Sequence, residues 1–360
     1  MAIGDKIKQY RLNRNLSLQQ LANLAGLSKP TIQQYEDGVI TPSNKSLKAV
    51  AEGLRVDIWN FFESEEMNLE LSEFRHGEKL LDSDEEKRKI YDLVVDYSQS
   101  YLELENILGT EVEFDNPVAD LLIQSYQDVE KAVLKIRKKW KLANIAIDDI
   151  CTLLESKGFK IITFDRQTES PGICGFMKSG HRNIPVIVLN TNHEHTREIT
   201  RKRFTLMHES AHLILKFCES VSKELEEKLC NRFASAFLMP AEPILEYLGK
   251  DRTNISLEEL KDLKETYGMS VQAIIYRANS TGLINDQVCA RWIELYEQWR
   301  RESKEFCSYN KSKEEPQRFN RLVTRGYMEK RISKEKVSEM LDLSMEDIDR
   351  KFGINKLSLF

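Results

Sequence analysis

Nowhere in its 360 residues does this chain run 18 apolar residues without a charge, which argues against a membrane-spanning helix. Its opening, MAIGDKIKQYRLNRN, has no apolar signal-peptide core. Cysteine is sparse and scattered. Cys151, Cys174, Cys218, Cys230, Cys289 and Cys307 form no C-x-x-C pair, so neither a zinc ribbon nor a disulfide frame is expected. The thiols read as those of a reducing cytoplasm, and a cytoplasmic protein with no membrane partner is expected. No repeat of fixed period and no low-complexity tract occurs. A net charge of −5 excludes a blanket pull toward nucleic acid, so any DNA affinity must be local.

What is present is an ordinary globular composition, 41% hydrophobic and 31% charged, at a length that suits two or three domains. We expect a multidomain, mainly α protein divided at 1–66, 67–117, 118–282 and 283–360. In the first segment, eight Lys and Arg stand against five Asp and Glu over residues 1–62, opposite in sign to the whole chain. IGDKIKQYRLNRN reads as a helix carrying Lys6, Lys8, Arg11 and Arg14. SLQQLANLAG starts at Ser17, an N-cap residue, and stops at Gly26, which accepts positive φ. SKPTIQQYEDG starts at Ser28, with Pro30 in the first turn. Further helices are expected at Asn44–Gly53 and Asp57–Phe62. Ala22, Leu27 and Ile32 are core candidates. Lys29, Thr31, Gln33 and Gln34 would face phosphates and base edges.

Residues 64–116 are helical in pattern. Ile90, Val94, Tyr97, Tyr101, Leu104 and Leu108 alternate steps of four and three, which suits either a helix packed on its own domain or a short homodimer seam. EVEFDNP (Glu111–Pro117) breaks the pattern. Beyond it, helices are expected at Ala119–Trp140 and Ile147–Lys157. FKIITFD alternates as a strand, and GICGFMKSG and IPVIVLN read as two more, separated by a turn around Gly180–Asn183. Helices at Arg197–Cys218 and Lys223–Phe237 follow, and residues 256–360 read as mostly helical. Strands followed by helices give an α+β centre.

The chemistry concentrates in FTLMHESAHLILKF (Phe204–Phe217). Residues four apart share a helix face, so His208 and His212 can chelate one ion, and Glu209 can reach a water on it. Zinc with neutral imidazole ligands suits that set. One protein ligand is still missing. EEKLCNRFASAFLMP offers Glu227, with Glu226 and Cys230 as competitors. His193 and His195 could form a second metal pair, but loop histidines among polar turns are usually solvated. Arg203, directly before the apolar part of the metal helix, could pair with a carboxylate or hold a substrate carbonyl. GICGFMKSG could be a sheet edge that takes up an extended peptide.

RFTLMHESAHLIL followed by EEKLCNRFASAFLMP resembles the ImmA/IrrE family of zincin-like metallopeptidases over roughly residues 120–280. The resemblance implies that His208, His212 and Glu227 ligate zinc, that Glu209 is the general base, and that Asn231 supports a ligand from behind. It also implies a protein substrate of the helix-turn-helix repressor type, in control of stress or mobile-element genes. LSLQQLANLAGLSKPTIQQYEDGVITPS resembles the helix-turn-helix of the Xre/lambda-repressor family and implies a DNA operator. Leu18 stands where that family often has a DNA-contacting Gln. The tail 306–350 resembles a helical extension with no assigned role. Two functions follow: a DNA-binding regulator with zinc endopeptidase activity, or a non-enzymatic repressor or antitoxin that keeps the peptidase fold as a sensor. An intact Glu209 favours the first.

Overall fold

The computed structural model describes residues 3–14, 16–40, 42–56, 61, 84–165, 171–179, 182–249, 252–301 and 308–353. The chain divides into two compact units, residues 1–67 and 68–360. In the first, α1 (Ile3–Asn13), α2 (Leu18–Ala25), α3 (Lys29–Glu36) and α4 (Asn44–Leu54) surround a core of Ile7, Leu21, Ala22, Ile32, Leu47, Val50 and Leu54. Leu27 packs against this core without being fully buried. The caps form where their residue types require. Ser17 accepts from Gln20 N and Ser28 from Thr31 N, and Gly26 ends α2 in the left-handed region at φ 64°. Arg11 is not a surface cation. Its guanidinium donates twice to the buried Glu36 carboxylate, at 2.6 and 2.8 Å. The expected helix at Asp57–Phe62 lies outside the described residues except for Phe61, which is buried.

The second unit begins with α5 (Asp84–Leu108) and continues through β1 (Leu122–Ile123), α6 (Tyr126–Lys139) and α7 (Ile150–Ser156). Then come β2 (Lys160–Phe164), β3 (Gly172–Ser179), β4 (Arg182–Asn190), α8 (Glu194–Arg197), α9 (Ile199–Ile214), β5 (Lys216–Phe217) and α10 (Lys223–Leu238). The helices α11 (Ala241–Leu248), α12 (Leu257–Tyr267), α13 (Val271–Ser280), α14 (Asp286–Arg301), α15 (Arg318–Met328), α16 (Lys334–Leu341) and α17 (Met345–Phe352) complete it. The protein is mainly α, with a small mixed sheet in the order β2-β4-β3. There β4 runs parallel to β2 and antiparallel to β3. Ile184–Leu189 of β4 are apolar and buried, as a central strand covered on both faces requires.

Several expected boundaries move. The helix expected at Ala119–Trp140 starts only at Tyr126, because Ser125 caps it and Leu122–Ile123 pair in parallel with Lys216–Phe217. The same pairing ends the metal helix at Ile214 rather than Cys218. Arg182 and Asn183 belong to β4 instead of a turn; residues 180–181 lie outside the described residues.

The stripe on α5 is covered from within the chain. Tyr101, Leu104 and Leu108 pack against Phe319, Leu322 and Val323 of α15, and against Ile332 and Val337. The C-terminal half of the stripe thus packs on helices of its own chain. Burying such side chains contributes about 1.5–3 kcal/mol each.

Candidate functional site

Helix α9 runs against β3 on one side and α10 on the other. Leu206, Met207, Ala211, Leu213 and Ile214 bury its apolar face. That fixes the rotation of α9 and brings His208 and His212 to the α10 side. Helix α10 starts at the Ser222 cap and is pinned from below. Glu130 of α6 receives Arg232 of α10 and the buried Arg277 of α13. The Leu-Met-Pro end of α10 is held through its backbone. Arg137 donates to the Phe237 carbonyl at 2.6 Å, and Arg277 donates to that of Met239 at 2.9 Å.

The result is a compact donor triangle. His208 Nε2 lies 3.2 Å from His212 Nε2 and 3.3 Å from Glu227 Oε2, and His212 Nε2 lies 3.2 Å from Glu227 Oε1. Ligands about 2.0–2.1 Å from a tetrahedral zinc ion are separated by about 3.3 Å, so the triangle has the dimensions of three corners around that ion. Among the described residues, His208, His212 and Glu227 are the one group of three metal-ligating side chains gathered this closely. All three are partly exposed, which leaves room for a water or substrate at a fourth corner.

The two imidazoles are oriented from behind. Asn231 Oδ1 lies 3.0 Å from His208 Nδ1. An amide oxygen only accepts, so Nδ1 carries the proton and Nε2 keeps its lone pair for a metal. His212 Nδ1 lies 3.4 Å from Glu226 Oε1 and 3.5 Å from Cys230 Sγ. Glu226 and Cys230, the competitors for the third corner, therefore stand behind His212 while Glu227 faces the ion position.

The electrostatics favour a cation at this point. Burial opposes a charge on His212, but hydrogen bonds with Cys230, Glu226 and Glu227 outweigh it and raise its pKa to about 12. Burial likewise opposes the Glu227 carboxylate, yet the adjacent His208 and His212 imidazoles hold its carboxyl far below the usual range. The donor set, its spacing and its field all fit zinc.

Glu209 lies on the adjoining face of α9, against β3. A Cβ added at Gly172 would meet Glu209 Cγ at 3.2 Å and Thr205 Cγ2 at 3.1 Å, so a larger residue there would press on Glu209. Burial first, then the neighbouring Glu209 carboxylate, push the Cys174 thiol well above its usual range. Gly172 and Cys174 escaped the sequence reading because their link to Glu209 is a strand-to-helix contact with no local spacing. In the described sheet β3 is an edge strand.

Arg203 is fully buried and pairs with the carboxylate of Glu314, so it is not placed to hold a substrate carbonyl. It also donates to the carbonyls of Ile147 and Asp148 and lies over the Tyr309 ring. His193 belongs to no metal-ligating group among the described residues, and the side chain of His195 lies outside them.

In the N-terminal unit, Lys29, Gln33 and Gln34 are exposed on α3. Thr31 is half-buried, and its hydroxyl is engaged with Ser28 Oγ at 2.7 Å.

Comparison with known proteins agrees with this division. The family described as Helix-turn-helix is matched over residues 7–58, and peptidase M78, the IrrE N-terminal-like domain, over residues 157–279. No curated protein matches the chain. Among solved structures, it is similar to the SinR protein/SinI protein complex, with 27% identity over 25% of this chain and 92% of that one, at a TM-score of 0.18. It is also similar to Bacillus thuringiensis PlcR in complex with the peptide PapR7 and DNA, with 13% identity over 98% of this chain and 99% of that one, at a TM-score of 0.22. The chain thus carries an Xre-type helix-turn-helix domain at its N-terminus and an IrrE-like, M78-type peptidase domain in its C-terminal part.

Proposed function

We propose that this protein is a DNA-binding regulator whose central domain is a zinc-dependent endopeptidase. The observation that carries the reading is the His208–His212–Glu227 triangle at tetrahedral spacing, with Glu209 on the same helix. Zinc held there would polarise a scissile carbonyl and bring a bound water's pKa near neutrality. With zinc bound, Glu209 would accept a proton from a water at the fourth corner and pass it to the leaving amine. Asn231 behind His208, and Glu226 with Cys230 behind His212, hold the imidazoles in register. The edge of β3, which passes Glu209 at Gly172, is the natural place for an extended peptide to add as a strand. The substrate implied by the family resemblance is a protein of the helix-turn-helix repressor type, and the DNA partner is an operator read through Lys29, Gln33 and Gln34.

The test combines zinc loading with cleavage of a helix-turn-helix repressor protein. Glu209→Gln should keep zinc and lose about 10²–10⁴-fold in cleavage rate. Equal cleavage by wild type and Glu209→Gln would sink the peptidase reading and leave the domain as a sensor or binding surface.

A further inference from the structure

Residues 318–353 lie outside both matched families, yet they repeat the helix lengths, cap pattern and burial register of α1–α3, although α15 and α17 pack less closely than α1 and α3. Helices α15, α16 and α17 have 11, 8 and 8 residues, as do α1, α2 and α3. The correspondence holds at a constant offset in numbering. Ser17 and Ser333 cap the second helix, at φ −75° and −80°. Gly26 and Asp342 end it in the left-handed region, at φ 64° and 50°. Leu27 N donates to the Ala22 carbonyl, and Leu343 N donates to that of Ser338. Ser28 and Ser344 then cap the third helix, each accepting from the backbone N–H three residues on. The core follows the same register. Ile7, Leu21 and Ile32 are fully buried in one copy, and Val323, Val337 and Ile348 in the other. A short turn with one residue in the left-handed region, set between two short helices, is the local pattern of a helix-turn-helix. Helix α5 covers α15 through Tyr101, Leu104 and Leu108.

Residues 318–353 hold nine Lys and Arg against seven Asp and Glu; the excess lies on α15, and residues 330–353 balance six against six, so what matters is where the cations stand. In a helix-turn-helix the first helix of the pair crosses the DNA backbone and the second enters the groove. Just before the Ser333 cap stand Lys330 and Arg331, both exposed, where they add to the positive end of α16. On α17, Asp347 is engaged with Ser344 and Arg350, and Asp349 with Lys334. Exposed Glu346 remains as a carboxylate on the groove-facing turn, where it can accept from a cytosine amino group and opposes phosphates.

We propose that residues 318–353 form a second DNA-contacting helix-turn-helix, with Lys330 and Arg331 on phosphates and α17 toward the groove. It rests on its own observations and stands whether or not the peptidase reading does. The experiment is a salt series of binding to a random-sequence DNA duplex, followed by anisotropy with the full-length protein. Lys330→Asn with Arg331→Gln should lower the slope of log K against log salt by about 2, one for each lost cation. Asn is chosen because Lys330 has φ 57°, which Asn tolerates. Glu346→Gln should act in the opposite sense and raise affinity about two- to fivefold, the range of one surface charge interaction. An unchanged slope in a double variant with wild-type circular dichroism overturns the proposal and leaves this surface to a protein partner or to packing. Should the double variant misfold, Glu346→Gln decides alone: tighter binding supports the proposal, and unchanged binding overturns it.

Discussion

Arg203 and Glu314 are separated by 111 positions and form a fully buried ion pair. The arginine sits on the metal helix, five residues before His208. The glutamate also accepts from the backbone N–H groups of Ile150 and Cys151 at the start of α7. One carboxylate thus joins the segment before α15 to the metal helix. Removing one partner of such a pair strands the other charge in the core. Glu314→Ala should lower unfolding stability by about 3–5 kcal/mol in chemical denaturation. A loss below about 1 kcal/mol would mean that Arg203 finds other compensation, against its complete burial.

The support behind the imidazoles makes a separate prediction. Asn231→Ala removes the acceptor at His208 Nδ1, and Glu226→Gln removes the charged acceptor at His212 Nδ1. Each should weaken zinc binding by about 10–100-fold, measured by competition with a chelator, with little change in thermal stability of the metal-free protein. Affinity equal to wild type in both variants would show that the ring orientation is fixed by packing alone.

Metal uptake should be linked to pH. With its pKa raised to about 12, His212 is protonated in the metal-free protein throughout the neutral range, and zinc must displace that proton. Zinc affinity should therefore rise about tenfold per pH unit between roughly pH 6 and 8. Calorimetry in buffers of different ionisation enthalpy should find at least one proton released per zinc. No release would contradict a protonated His212.

Gly172 separates placement of Glu209 from metal binding. Gly172→Ala drives a methyl against Glu209 and Thr205. The contact asks Glu209 to give by only part of the roughly 1 Å that can cost about 10²-fold in rate, so cleavage should fall by less than about 10²-fold while zinc content stays at wild type. Unaltered cleavage would show that β3 yields and that Glu209 does not depend on it.

Leu104 tests the cover over α5. Its Cδ1 lies within 3.3 Å of the position a Cβ would take at Gly326, in the packed contact with α15. Leu104→Ala should cost about 2–5 kcal/mol in stability without changing molecular mass in light scattering. A change from dimer to monomer with unchanged stability would return the stripe to an intermolecular role.

How much of this was legible beforehand depended on whether the relation was local. The helical repeat alone places His208 and His212 together, and the Ser17, Gly26 and Ser28 punctuation alone places α2 and α3. Glu227, Glu226 and Cys230 could not be ranked, because the choice depends on the rotation of α10, and that is set by Glu130, Arg232 and Arg277 on three different helices. The α5 stripe declared an apolar face without saying what covers it, since Phe319 and Val323 lie more than 200 residues away. The repeat at 318–353 stayed hidden for another reason. Asp342 stands where Gly26 marks the turn, and an αL aspartate is invisible without backbone angles.

The central claim is that His208, His212 and Glu227 together hold one catalytic zinc. Metal analysis of purified wild-type protein, His208→Ala and Glu209→Gln tests it most directly. One zinc per chain is expected in wild type and in Glu209→Gln, and none at stoichiometric level in His208→Ala. Wild-type protein that carries no zinc and takes up none on titration, or a His208→Ala variant that binds it fully, would contradict it.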